Sequence, residues 1–503
     1  MSTYSFLMSN FFWLTASRII TRVVSVFSLP IITYYLSPED FGIIAMFSVV
    51  QLFLGSFFGL GIVSYSGRVI YKYERTDKEQ CKKRLGMILI YLSIFSVLGV
   101  LISAVFIKRL SLLLLGDILV PDAMYYYIPI IMAFLMSIYG FCSNLLLDLQ
   151  LNRRLFYLEM TQFILFLPAQ LVGLIYFSFN VWDVIVLQLV VQCLVFFYGL
   201  WLIRDWLSFS LKEIRLFKEA MTYSLPMVPL NFAGWIQDRL DKVFLNRMIS
   251  INAVGIYTAG VNLASQYSFI SRPITTVIKP ELSKRLDSND PNVQNDIKDL
   301  FTLFFQFSIF LYLIISLFSR ELVTVLLNVR FHECYHIVPI FLLSIIFSEL
   351  TGIFHLKFIY KNKTIWFPIT LSISCGLNVV LNILLIPKYD IYGASVAKTL
   401  SELSVLFITY AIVQRLHKSE YRLIHNFMPL ILVILITFTI TLYPVWNLYL
   451  LAGKALLSCA YVIFLDVYLR RYNMRYNDIR AIMLKKVRYI LARNYERKKH
   501  EET

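Results

Sequence analysis

The chain has 503 residues, of which 58% are hydrophobic, 16% aromatic and only 16% charged, a balance that excludes an ordinary soluble domain. Apolar runs of about 20 residues, long enough to cross ~30 Å of hydrocarbon, recur from residue 11 to residue 470 and leave no room between them for a soluble domain. The net charge of +16 would point to nucleic acid in a soluble protein; here its segregation to alternate loops accounts for it, and no nucleic-acid partner is expected.

In chain order, the N-terminal MSTYSFLMSN carries no basic residue and leads into a full-length span containing Arg18 and Arg22. That differs from the short apolar core of a cleaved signal peptide, so the first helix is expected to remain in the mature protein. Turn residues and charge clusters then divide the chain into fourteen predicted spans: 11–35, 41–67, 85–107, 122–148, 157–178, 181–203, 219–246, 253–278, 299–319, 334–356, 365–386, 391–414, 425–443 and 448–469. Pro129 interrupts the fourth, and Lys454 stands near one end of the last.

Loop charge sorts cleanly between the two sides. One side carries Arg68, Lys72, Arg75, Lys78, Lys82, Lys83, Arg84, Arg153, Arg154, Arg204, Lys212, Arg215 and Lys218. The same side continues with Lys279, Lys284, Arg285, Lys298, Lys357, Lys361, Lys363, Arg415, Lys418 and Arg422. The opposite loops hold only Lys108, Arg109, Arg247, Arg320, Arg330, Lys388 and Lys454, which places both termini in the cytoplasm. The outer loops are short and leave no space for an external catalytic domain. After the last span, Ile479, Ile482, Met483, Val487, Ile490 and Leu491 share one helical face within a basic tail. Two readings stay open there: a helix lying on the inner leaflet, or a basic segment that fixes topology. Cys81, Cys142, Cys193, Cys334, Cys375 and Cys459 stand singly, without metal-ligand spacing, and are read as core fillers.

A weak internal repeat appears at an offset of about 210 residues. Leu36-Ser37-Pro38-Glu39-Asp40-Phe41-Gly42-Ile43 follows the first span, and Ile249-Ser250-Ile251-Asn252-Ala253-Val254-Gly255-Ile256 follows the seventh. Leu151-Asn152-Arg153-Arg154 and Lys361-Asn362-Lys363 follow the fourth and tenth, while Phe179-Asn180-Val181-Trp182 and Tyr389-Asp390-Ile391-Tyr392 open the sixth and twelfth. The expected organisation is an all-α integral membrane protein of about fourteen transmembrane helices. It comprises a six-helix lobe at 1–210, a second at 211–420, an extra helix pair at 421–470 and a basic cytoplasmic tail at 471–503. Six is even, so both lobes enter the membrane from the same side.

Ser224-Leu225-Pro226-Met227-Val228-Pro229-Leu230, followed by Asp238-Arg239-Leu240-Asp241-Lys242 and Ala253-Val254-Gly255-Ile256-Tyr257, resembles the seventh-helix signature of polysaccharide repeat-unit flippases. The opening from Ser17-Arg18 through Leu29-Pro30 to Gly42 is similar to their first helix. These are the Wzx-type O-antigen and capsule transporters of the multidrug/oligosaccharidyl-lipid/polysaccharide exporter superfamily, with a MATE-like fold. The resemblance implies an undecaprenyl-pyrophosphate-linked oligosaccharide as cargo, as in lipopolysaccharide synthesis, and alternating access in a bacterial cell inner membrane. It also allows partnership with other polysaccharide assembly proteins.

Ionisable side chains at bilayer depth cost at least about 2.5–3.5 kcal/mol each, so those present are expected to face a cavity or a partner. Arg18 and Arg22 are four residues apart on the first span, and Arg272 sits beside Pro273 in the eighth. Together they form the candidate pyrophosphate site, because guanidinium stays charged and offers paired donors. For Arg18, snorkelling to the surface is the alternative. Asp238, Arg239, Asp241 and Lys242 carry both signs, and Asp238 with Lys242 has the spacing of a self-neutralising pair. Glu349 has no evident local partner and is a candidate for ion coupling, as is Lys398, although Lys398 with Glu402 also reads as a structural tie. Pro226 and Pro229 are the prolines singled out as a gate bend; Gly55, Gly59 and Gly61 allow close helix packing.

No GxxxxGK[ST], HExxH or GxSxG occurs, and the chain is expected to be neither an ATPase nor another enzyme, with no cofactor and no metal. A secondary transporter is the remaining class. Its alternatives are a peptidoglycan lipid-precursor flippase and a cation-coupled multidrug antiporter, the latter expected to show intramembrane carboxylates in excess of cations. A membrane polymerase would need a large external loop.

Overall fold

A computed structural model describes residues 3–74, 76–116, 118, 120–209, 216–272, 274–275, 291–361, 363–416, 423–442 and 448–471. The amphipathic stretch expected between Ile479 and Leu491 lies outside the described residues, as does Pro273. All regular structure among the described residues is helical. Among the described residues, seven helices are long and apolar enough to cross a membrane, or eight when the pair Phe301–Leu317 and Ser319–Leu326, bent by 56°, is one span. The expected fourteen is therefore approximate. Helix Trp366–Leu416 holds two of the expected spans, and the first and thirteenth expected spans fall in the helices Thr3–Tyr35 and Leu423–Leu442.

The fold divides into two compact units, Met1–Gly255 with Leu326–Asn328, and Ile256–Val325 with Val329–Thr503. The first contains α1 (Thr3–Tyr35), α2 (Pro38–Phe58), α3 (Val63–Tyr73), α4 (Lys78–Val105), α5 (Ile107–Leu114), α6 (Ile128–Asp148), α7 (Asn152–Tyr176), α8 (Val181–Ile203), α9 (Leu216–Ser224), α10 (Met227–Met248) and the start of α11 (Ile251–Ala264). Its helix starts are written in the sequence. Ser37 caps α2, accepting from the Asp40 amide while the Asp40 carboxylate accepts from the Ser37 amide, with Pro38 in the first turn. Asn180 and Asp183 form the same reciprocal box on α8. The core gathers Leu85, Ile88, Leu92, Phe141, Leu145, Leu158 and Ile203 from four helices, with Ile62 from the turn before α3. Cys81 and Cys142 are buried in it, but Cys459 in the second unit is exposed, so the core-filler reading does not extend to it.

The repeat anchors around Gly42 and Gly255 meet. Ser250 caps α11 as Ser37 caps α2, accepting from the Ala253 amide at 3.1 Å. A Cβ on Gly42 would overlap the Ile251 carbonyl oxygen, and one on Gly255 would overlap the Pro38 carbonyl oxygen. Pro38 and Ile251 are the third residues of their strings, and Gly42 and Gly255 the seventh. The contact is therefore reciprocal, as a two-fold between like segments requires. Only glycine permits backbones this close.

The segment between the sixth and seventh spans folds onto the same unit. Phe217 of α9 packs on Tyr91 and Phe95 at 5.3 and 6.1 Å between ring centroids, and the Tyr65 hydroxyl donates to Glu219 Oε2 at 3.0 Å. Gly61, at φ 71°, brings its α-carbon against the Ser224 carbonyl, where a Cβ would sit 2.6 Å from the oxygen.

The second unit contains the rest of α11, a helical stretch at 267–272, α12 (Pro291–Leu317), α13 (Ser319–Leu326), α14 (Ile337–Tyr360), α15 (Trp366–Leu416), α16 (Leu423–Leu442) and α17 (Leu448–Arg471). α15 folds back on itself at Asp390 (φ 52°, ψ −132°), so that Ser401 Oγ donates to the Ser374 carbonyl at 3.2 Å. The C-terminal pair is tied to α12 by a chain of buried polar groups. The Tyr461 hydroxyl donates to Gln306 Oε1 (3.1 Å), Gln306 Nε2 to Asn426 Oδ1 (3.3 Å), and Asn426 Nδ2 to Thr302 Oγ1 (3.4 Å). Lys454 of α17 pairs with Glu321 of α13, and both side chains are largely buried. In hydrocarbon such bonds replace the water that polar groups would otherwise keep.

Candidate functional site

Arg18 and Arg22 lie on α1, where helical geometry puts residues four apart on one face; their side chains fall outside the described residues. Arg272 belongs to the second unit and is exposed there.

On α10 the charged run separates by face. Asp238 is exposed and Arg239 half-buried, while Asp241 and Lys242 are each only 4% exposed. Among the described residues no ion pair joins Lys242 to Asp238, so the expected self-neutralising pair does not form. The reason is packing. Trp235, seven residues before Lys242 and on its face, donates Nε1–H to the Val49 carbonyl of α2 at 3.1 Å. Farther along, Asn246 Nδ2 donates to the Leu115 carbonyl at 2.7 Å. These two bonds press the Lys242 side of α10 into the unit and leave Asp238 on its open side. Phe53 and Phe57 of α2 meet Phe232 of α10, whose ring stacks on Trp235 with centroids 5.9 Å apart.

In the second unit, Glu349 acquires a partner that sequence inspection did not identify. Ser271 Oγ donates to Glu349 Oε1 at 2.6 Å, and Tyr267, one turn earlier, donates to Ser308 Oγ at 2.8 Å. The stretch bearing Arg272 is thereby fastened beside the Glu349 carboxylate. Lys398 Nζ stands 3.1 Å from Glu402 Oε1, with side-chain exposures of 8% and 3%. In the first half of the same helix, buried Asn382 donates to Asn378 at 3.0 Å. A search for charges overlooks Ser271, Tyr267, Asn378 and Asn382, since neutral polar residues are common in membrane helices. Their only sequence signal is polarity recurring on one helical face.

The chain buries cationic and carboxylate groups, among them Asp241, Lys242, Lys398 and Glu402, within helices that also bury apolar side chains. The sequence matches the polysaccharide biosynthesis protein family over residues 7–285, more than half of the chain. The chain belongs to that family. The matched region includes Arg18, Arg22, Asp238 to Lys242 and Arg272, while Glu349 and Lys398 fall beyond it. No curated protein matches the sequence.

Among solved structures, this family member is similar to the lipid II flippase MurJ in an inward closed conformation. The TM-score is 0.73 at 15% identity, covering 91% of this chain and 99% of MurJ. An inward-facing multidrug MATE transporter gives 0.58 at 12% identity, covering 81% and 99% of the two chains. The bent form of the Vibrio cholerae MATE transporter VcmN gives 0.54 at 13% identity, with 84% and 99% covered. At these identities the likeness is one of fold: an all-helical membrane transporter architecture shared by flippases and drug exporters.

Proposed function

We propose that this family member flips an undecaprenyl-pyrophosphate-linked oligosaccharide, an O-antigen or capsule repeat unit, from the inner to the outer leaflet of the cell inner membrane. Lobes 1–210 and 211–420 alternate access, driven by an ion gradient or the membrane potential, with both termini in the cytoplasm. Arg18, Arg22 and Arg272 receive the pyrophosphate, while Asp238, Arg239, Asp241, Lys242, Glu349 and Lys398 supply further substrate or ion-coupling contacts.

The observation that carries this reading is the Arg18/Arg22 spacing on α1 within a chain of the polysaccharide biosynthesis family. Two guanidinium groups on one face of a membrane helix cost several kcal/mol unless they meet a partner, water or an anion, and a diphosphate accepts their paired donors. A carrier of cationic drugs gains nothing from them.

The test is to deplete the protein from its host and resupply wild type or the Arg22→Ala/Arg272→Ala variant, then measure the amount and membrane face of lipid-linked oligosaccharide. The proposal expects inner-face accumulation relieved by wild type and not by the variant. Unchanged lipid-linked sugar with altered drug sensitivity would transfer the function to an antiporter.

A further inference from the structure

Arg153 and Arg154 open α7 side by side, yet the fold treats them differently. Arg154 is consumed by structure: Nη1 donates to the Leu202 carbonyl at 2.7 Å and Nη2 pairs with Asp205 at 3.1 Å, tying α7 to the end of α8. Arg153 is exposed, and no acidic side chain among the described residues pairs with it. Its Nε donates to the Tyr157 hydroxyl at 3.1 Å, and its guanidinium carbon lies 5.8 Å from the Trp13 ring centroid and 5.6 Å from that of Tyr157. Trp13 is itself fixed by Phe156 at 4.9 Å. The aromatic contacts and the Nε bond hold the plane while both terminal amino groups remain available as a fork.

The surroundings say what the fork meets. Apart from Leu165 and Tyr176 at its edge, the exposed residues along α7, which are Arg153, Tyr157, Ile164, Pro168, Val172 and Ile175, fall on one helical face. From Arg153 to Pro168 that face runs about 22 Å at 1.5 Å per residue, with the single guanidinium at its basic end and apolar side chains at the other. A stripe of this length matches an acyl chain, and the fork at its end matches the phosphate above that chain. α7 is also among the least buried of the spans.

We infer that Arg153, oriented by Trp13 and Tyr157, is a binding site for the headgroup phosphate of a membrane phospholipid whose acyl chain lies along the exposed face of α7. The site is independent of the transported cargo. It holds a boundary lipid at the basic side of the first unit and fixes the depth at which α1 and α7 sit.

The purified full-length protein in detergent is titrated with phosphatidylglycerol, with digalactosyldiacylglycerol, which has the same chains and no phosphate, and with inorganic phosphate. Bound lipid is read by native mass spectrometry and the thermal midpoint in parallel. Phosphatidylglycerol is expected to bind and raise the midpoint, and the other two to do neither. Arg153→Ala is expected to weaken phosphatidylglycerol about fivefold, the effect of one interfacial cation. Tyr157→Phe keeps the ring, removes the Nε acceptor and is expected to weaken binding by about half as much on a logarithmic scale. It decides the matter should Arg153→Ala misfold. Unchanged affinity in the variants that fold, equal binding of the galactolipid, or equal binding of inorganic phosphate would each overturn the assignment.

Discussion

Lys398 and Glu402 show how burial changes the meaning of a familiar spacing. On an exposed helix an oppositely charged pair four residues apart is worth a few tenths of a kcal/mol. Here both members are buried and 3.1 Å apart, so the pair replaces part of the water that each has given up. Lys398→Met is expected to destabilise the protein by roughly 3–5 kcal/mol, because it removes the cation from a buried carboxylate, whereas Lys398→Met/Glu402→Leu recovers most of that. Thermal and denaturant unfolding in detergent measure both. A single variant as stable as the double would show that the pair does not provide this compensation. The spacing is visible in the sequence; the burial is not, because it depends on how the two halves of α15 fold together at Asp390. Glu349 makes the same point from the other side. Its partner Ser271 is 78 positions away and carries no charge to draw attention.

At the scale of elements, helix starts were legible where a side chain caps the next turn, as at Ser37, Asn180 and Ser250. Such signals are local chemistry and need no tertiary contact. Glycine was less legible. Of Gly55, Gly59 and Gly61, expected to permit close packing, Gly61 lies tight against Ser224 and Gly59 against Leu92, but a Cβ on Gly55 would meet nothing within 4 Å. The tightest approaches are at Gly42 and Gly255 instead. Gly42→Ala and Gly255→Ala are each expected to destabilise by about 1–3 kcal/mol through overpacking against a carbonyl, while Gly55→Ala is neutral or stabilising by up to ~1 kcal/mol. Thermal unfolding of the three variants in one detergent gives the comparison, and equal effects at all three would refute the crossing. The Tyr461–Gln306–Asn426–Thr302 chain could not be read in advance either, since each of its three bonds joins residues more than a hundred positions apart.

For the whole molecule, loop charge supports a concrete expectation about orientation. A fluorescent protein fused after Thr503 is expected to fold and emit in cells, and alkaline phosphatase fused there to stay inactive, since the first works in the cytoplasm and the second outside it. The opposite pattern would invert the orientation and place Arg153 on the outer leaflet. The sequence by itself determined the solvent, the helical class, the segregation of basic loops and the family, because each depends on composition, span length or short local strings. It also showed the two strings around Gly42 and Gly255 as like segments. Only the tertiary structure decided that these strings touch reciprocally, that Lys242 turns inward while Asp238 stays exposed, and that Arg153 is left exposed while Arg154 is tied down. The physical reason is common to all three. Charge and polarity are properties of a residue, but burial and partnership belong to surfaces brought together from distant parts of the chain.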